Sequence, residues 1–392
     1  MLRPGGLTSR TITRACVVAA ALLAVSASLA ASSATASRSM QVGLFDDGSI
    51  LGNPDTTFPV LKQLRTQVIR VSLDWGGLGA LSVARRKPEK ATDPADPAYR
   101  WTAYDYIVKK AAEEKIKVLF SVIGTPRWAN GGKHWNRAPK SGSSLRAFMY
   151  AAATRYSGSF TPEGSDQPLP AVHLWLAWNE PNDPIFLAPQ YRKVGKKYVM
   201  QSARDYARIC NAVVTGVHST VLRGEKVACG ATGPRGNDKP AGTRPSVSPL
   251  AFLRAMKRAG AKGFDAYAHH PYYGNPHEAP TTTPRTGVTL ANIGKLITQV
   301  TKLYGPKRIW LTEYGYQTKP PDALFGVSWA LQARYLSRAY SIARKNPRID
   351  MLIWFLLRDE PRSRGHDGWQ SGLMTRAGKR KPAYTRFRRL PH

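Results

Sequence analysis

Short apolar runs alternate along most of this chain with stretches in which apolar residues recur every third or fourth position. The runs predict strands at Gln41–Phe45, Gln67–Asp74, Ile116–Ile123, His173–Trp178, Lys226–Ala231, Phe264–His270, Arg308–Thr312 and Asp350–Phe355. Most are β-branched or aromatic without strict alternation, as expected of parallel strands covered on both faces. The intervening stretches predict helices. Tyr104, Ile107, Val108 and Ala111 share one helical face, as do Leu145, Phe148, Ala152 and Tyr156. Leu250, Phe252, Leu253 and Met256, then Leu290, Ile293, Ile297 and Val300, and a longer stretch from Trp329 to Ala343 repeat the rule. About eight such β–α pairs predict a (β/α)8 TIM barrel. An open doubly wound sheet would normally carry a Gly-rich phosphate turn after its first strand. Here that strand ends Leu44-Phe45-Asp46-Asp47-Gly48, with no such turn.

The N-terminus reads as an address. Arg3, Arg10 and Arg14 precede an apolar stretch from Ala15 to about Ala31, and Ala34-Thr35-Ala36 has the small-x-small form of a cleavage site. Residues 1–36 are therefore expected to be a secretory signal peptide and residues 37–392 a single barrel domain. Cys16 precedes the apolar stretch, so no lipobox is evident, and no adjacent Arg-Arg pair marks a twin-arginine route. No other segment is apolar for long enough to span a bilayer, and the mature protein is expected to be a secreted, extracellular monomer. The stretch from Arg235 to Ser248 is polar but short enough to be a loop, and no internal repeat is visible.

Composition adds two questions. Cys210 and Cys229 survive processing, and fit either one disulfide or two buried free thiols. The formal net charge is +33, with Arg376, Lys379, Arg380, Lys381, Arg386, Arg388 and Arg389 crowded at the C-terminus. Such charge attracts anionic polymers: acidic polysaccharide, teichoic-type wall polymer, a membrane surface or nucleic acid. The basic residues are dispersed along the chain, however, which favours a generally alkaline, solubilising surface. No nucleic-acid-binding motif accompanies them.

In a barrel, catalytic groups lie at the C-terminal ends of the strands. Those positions give Arg70 on the second strand, Trp128 after the third, Asn179 and Glu180 after the fourth, and His270 and Tyr272 at the end of the sixth. Glu313 ends the seventh and Trp354 lies on the eighth. Carboxylates are costly to bury, and two at strand ends suggest a convergent acid pair. With an arginine and aromatics on the same rim they suit a sugar site.

Blander readings stand beside this one. Glu180 could start a helix, Glu313 could be an ion-pair partner, and Arg70 could bridge Asp74. His269, His270, His277 and Glu278 invite a metal. A metal-dependent barrel hydrolase would usually carry His-x-His on its first strand, which this strand lacks, so neither metal nor organic cofactor is expected. Trp128 and Trp354 could be plain core; Trp135, Phe186 and Trp369 read as structural lids or exposed hydrophobes. Asp359-Glu360-Pro361-Arg362 is either a substrate-reading loop or a solvated turn.

Asn179-Glu180-Pro181 and Thr312-Glu313-Tyr314-Gly315 resemble the acid/base and nucleophile motifs of clan A retaining glycoside hydrolases. Thr125-Pro126-Arg127-Trp128-Ala129 resembles the third-strand loop of families 39 and 5. Gly372-Leu373 and Lys381-Pro382-Ala383-Tyr384 resemble the closing segment of such barrels. The resemblance runs from about Gln41 to Phe387. It implies a glycosidase that cleaves mostly β-linked poly- or oligosaccharides by double displacement, Glu313 attacking and Glu180 carrying the proton. It further implies that Arg70 and Tyr272 orient Glu313 and that Asn179 binds the sugar 2-hydroxyl. His270-Pro271-Tyr272 matches the family's His-x-Tyr arrangement, which places His270 rather than His269 in the site. The competing classes are a carbohydrate-binding protein on an inactive barrel and a basic cell-surface adhesion protein.

Overall fold

The computed structural model describes residues 1, 37, 39–361 and 368–391. All of the expected signal peptide except Met1 lies outside the described residues. Eight parallel strands close into a barrel: β1 (Gln41–Phe45), β2 (Val68–Asp74), β3 (Lys117–Ile123), β4 (Leu174–Ala177), β5 (Lys226–Thr232), β6 (Ala266–His269), β7 (Arg308–Tyr314) and β8 (Ile349–Phe355). Each hydrogen-bonds its sequence neighbours, and β8 closes on β1. The expected TIM barrel is met strand for strand. No helix of the described residues is long and apolar enough to cross a membrane.

Alternation along the strands sorts side chains between two cores. Val68, Leu119, Leu176, Ala228, Ala266, Ala268, Trp310, Met351 and Ile353 fill the barrel, the alanines of β5 and β6 leaving room for the Trp310 indole. Ile69, Val71, Phe120, Trp175, Tyr267, Leu311 and Trp354 point outward to the layer shared with the helices. Gly43 has no room for a side chain, since a Cβ there would lie 2.3 Å from the Val68 carbonyl oxygen.

A long helix backs the strand ends that carry the site. Gln201–His218 packs behind β4 and β5, and its Tyr206 hydroxyl donates to Ala177 O at 2.9 Å and accepts from Gly230 N at 2.6 Å. One turn on, Cys210 forms a disulfide with Cys229 of β5, which settles the question of the free thiols. The bridge closes a loop with a sequence separation of 19, for which chain entropy gives about 3 kcal/mol. A Cys210→Ser/Cys229→Ser double variant should therefore unfold at markedly lower denaturant concentration, measured by circular dichroism.

The antiparallel ribbon Tyr191–Val194/Lys197–Met200 is absent from the sequence expectation. Its two-residue turn starts at Gly195 with φ +58°, a conformation glycine adopts without penalty.

Candidate active site

Glu180 sits just beyond β4 on a contorted backbone. Trp178 and Glu180 have φ of +69° and +34°, and Ala231 across from them on β5 has +45°. Left-handed conformations of non-glycine residues cost about 1–3 kcal/mol each and persist only where the surroundings hold them. Here Trp178 N donates to Val122 O and Glu180 N to Ala231 O, both at 2.9 Å. Asn182 then ties the loop to the end of β5: its Nδ2 donates to Val247 O at 2.9 Å and its Oδ1 accepts from Gly233 N at 2.8 Å.

Gly233 supports the carboxyl from behind. A Cβ at that position would lie 3.0 Å from Glu180 Cδ and Oε2. Gly233→Ala should displace the carboxyl by a few tenths of an ångström and reduce kcat by roughly tenfold, with the unfolding midpoint little changed.

Glu313 belongs to β7, with both oxygens held. Oε1 accepts from the Tyr272 hydroxyl at 2.9 Å and Oε2 from Arg70 Nη1 at 2.9 Å. Arg70 is buried, its guanidinium carbon 4.2 Å from the centroid of the Phe45 ring. Its Nη2 donates to Asn179 Oδ1 at 2.6 Å and to Ser121 Oγ at 3.3 Å, so one cation organises groups from several strands. Burial, with Glu313 adding to it, raises the Tyr272 phenol well above its usual range, so it remains a donor.

His270 links the two carboxylates. Its Nδ1 lies 2.9 Å from Glu180 Oε1 and 3.8 Å from Glu313 Oε2. Its Nε2 lies 3.3 Å from Arg70 Nη1, which can only donate, so Nε2 accepts and the proton sits on Nδ1. Burial, reinforced by Arg70 and opposed by Glu313, lowers the imidazole to about 3 and keeps it neutral. His270 therefore donates to Glu180 Oε1, leaving Oε2 as the oxygen that carries the Glu180 proton. Burial raises that carboxyl to about 7; Asp183 adds to the rise, and Arg70 and Arg235 oppose it. One oxygen each of Glu180 and Glu313 and a nitrogen of His270 lie within 4.8 Å of one another. Three such donors could hold a cation, but the Arg70 guanidinium already bonds Glu313 and lies against His270.

The pair opens into a cleft of about 780 Å³, lined also by Arg70, Asn179 and Tyr272. Three expected residues are absent from its lining: His270, fully buried behind the two carboxyls, Trp354 and Trp128. Trp354 points the other way, because Met351, Ile353 and Phe355 take the inward positions of β8; its Nε1 donates to Ser371 O at 3.1 Å. Phe355 lines the cleft instead. Trp128 turns its Nε1 to Ala84 O at 2.8 Å and packs edge-on against Trp75. The same alternation puts His270 inside after Ala266 and Ala268, while His269 bonds Val288 O at 3.0 Å in the outer layer.

Trp135, Phe186 and Trp369, read from sequence as lids or exposed hydrophobes, line the cleft together with Phe45 and Tyr273. Sequence reasoning missed Phe45, although its place at the end of β1 marked it as a rim position. In the loop after β8, Asp359 forms a buried ion pair with Lys381 Nζ at 2.7 Å, whereas Glu360 lines the cleft. Arg362 lies outside the described residues.

No protein-family model matches the sequence, and no curated protein matches it. Solved structures do resemble the fold. A family 39 glycoside hydrolase from the gut symbiont Bacteroides cellulosilyticus WH2 aligns with a TM-score of 0.59 at 19% identity, over 91% of this chain and 64% of that one. A glucosidase from Croceicoccus marinus aligns at 0.63 and 15% identity, over 89% and 65%. A fungal β-1,4-galactanase aligns at 0.58 and 12% identity, over 89% and 99%. The chain thus spans just under two thirds of the length of the first two. At these identities the likeness establishes a shared (β/α)8 barrel.

Proposed function

We propose that this protein is a retaining glycosidase that hydrolyses β-linked poly- or oligosaccharides. The observation that carries the reading is the approach of Glu180 and Glu313 to within 4.8 Å in opposite environments. Retaining enzymes place their carboxyls ~5–5.5 Å apart, inverting ones ~6.5–9.5 Å. Glu313, fixed by Arg70 and Tyr272, would attack the anomeric carbon while Glu180 Oε2 delivers its proton to the leaving oxygen. Glu180 would then take a proton from water as it hydrolyses the glycosyl-enzyme. Asn179, with its oxygen committed to Arg70, has its Nδ2 for the sugar 2-hydroxyl. The cleft aromatics offer stacking faces for sugar rings.

The leader-like N-terminus supports secretion. The dispersed positive charge fits a solubilising surface, and contact with an anionic wall polymer would be a property added to catalysis. The neighbours named as a glucosidase and a β-1,4-galactanase put glucosides and galactans first in a screen. Proton NMR of the fresh product should show net retention at the anomeric carbon. Inversion, or no release from any chromogenic β-glycoside or β-glycan, would overturn the reading. Salt-sensitive polymer binding that persists unchanged in a Glu180→Gln/Glu313→Gln variant, without hydrolysis by the parent, would favour adhesion instead.

A further inference from the structure

A second cavity, of about 570 Å³, opens at the opposite end of the barrel, among the N-terminal ends of the strands. That size falls within the ~300–1,000 Å³ of small-molecule sites. Trp310 and Met351 of the barrel interior contribute to its lining, and Lys115, Lys117, Lys226 and His173 stand around it. Among the described residues, none of the three lysines forms an ion pair with a carboxylate. The one acid of the lining, Asp350, is already engaged by Arg308 Nε at 2.7 Å and by Trp310 Nε1 at 3.3 Å. The cavity therefore carries uncompensated positive charge beside an apolar surface.

Lys115 sits on a strained turn. The helix Thr102–Glu113 ends in a tight left-handed turn, with Lys115 N bonded to Ala112 O at 3.1 Å and Ile116 N to Ala111 O at 2.8 Å. Lys115 takes the φ of +56° that this turn requires. Glycine is the usual occupant of that position, and it is the residue used in the corresponding turn after Pro249–Arg258, at Gly260. The helix Pro54–Gln63 ends in the same turn with Arg65 at φ +59°, away from this cavity, so a basic residue at this position is a recurrent helix ending in this chain.

We propose that this cavity binds the phosphate of an organic phosphate ester. Lysine ammoniums act as point charges suited to a compact tetrahedral anion, whereas planar carboxylates favour the arginine fork. A phosphate monoester carries about −1.5 to −2 charge near neutral pH, and a phosphodiester chain carries one charge per link, so either can engage several lysines at once. The organic part of the ester would lie over Pro170, Ala171 and Leu174, accessible apolar residues of the lining. The proposal is independent of the glycosidase reading, because the site lies at the other end of the barrel.

Calorimetric titration of the whole protein with inorganic phosphate, glycerol 3-phosphate and a short poly(glycerol phosphate) tests it, at low and high salt. At least one organic phosphate should bind tenfold or more tighter than inorganic phosphate. Tight binding of glycerol 3-phosphate identifies a free ester as sufficient; tight binding of the polymer alone identifies a polymeric source. Lys117→Ala/Lys226→Ala should weaken binding at least tenfold, while Glu180→Gln leaves it unchanged. Lys115→Gly is the sharper variant, since it relaxes the turn: it should weaken binding severalfold with an unfolding midpoint equal to or above the parent's. Organic phosphates that bind no better than inorganic phosphate, or binding indifferent to all three lysines, would overturn the proposal.

Discussion

Replacing Glu313 by alanine should lower kcat on an aryl β-glycoside by about 10⁵-fold or more, the scale seen when a covalent nucleophile is removed. The environment of Glu313 explains why no other group can substitute. Its two oxygens accept from Tyr272 and Arg70, which fix the carboxylate and balance its charge. Removing it leaves a small void lined by donors. Added azide should enter that void, attack the same carbon, and yield the glycosyl azide of inverted configuration. Recovery of turnover with azide, with an α-glycosyl azide identified by NMR, would separate loss of the nucleophile from loss of the fold. Unchanged hydrolysis by Glu313→Ala would remove Glu313 from the mechanism.

The second large effect belongs to Glu180. Glu180→Gln keeps the side-chain volume but cannot shuttle a proton, so unactivated glycosides should lose about 10²–10⁴-fold in kcat/KM. Substrates with good leaving groups, which need little protonation, should lose far less in the first step. The pH dependence follows from the same burial. With its carboxyl raised to about 7, Glu180 is protonated in acidic solution and loses its proton as pH rises through neutrality. The alkaline limb of kcat/KM should therefore fall near pH 7 in the parent enzyme.

Stability carries the same signature. A carboxyl whose folded-state value is raised contributes stability that is fully present below its unfolded value, near ~4.3, and lost as pH rises through its folded value. Glutamine has no such penalty, so the variant should gain thermal stability relative to the parent as pH rises from about 5 to above 7. Differential scanning calorimetry across that range checks it. A parent-to-variant difference independent of pH would contradict the burial of an ionisable acid.

Much of this site was legible because its signals were local. Apolar runs ending on Glu180 and Glu313 mark strands that meet a rim, and the barrel topology brings distant strand ends together. Arg70 was legible as an inward position of β2. The failures share a physical cause. Trp354 was assigned to the rim by residue type, but its neighbours Met351, Ile353 and Phe355 occupy the inward set of β8. A one-residue change of phase exchanges the two faces of a strand. Trp128 lies on a single helical turn, Arg127–Asn130, too short for periodicity to announce direction, and its indole nitrogen donates to the Ala84 carbonyl. Trp135, Phe186 and Trp369 reach the cleft only through the packing of long loops. The Cys210–Cys229 bridge depends on a helix and a strand meeting at one point, which spacing along the chain does not specify.

That meeting point has a bearing on how the protein must be made. Three successive residues of β5 are each anchored differently: Cys229 covalently to Cys210, Gly230 by hydrogen bond to Tyr206, and Ala231 to the backbone of Glu180. The first two anchors come from one helix face, and the third holds Glu180. Polypeptide matured under reducing conditions would possess every catalytic group yet lack the covalent member of this series. Preparations of identical sequence and different oxidative history are thus chemically distinct molecules, and thiol titration belongs before any comparison of their behaviour.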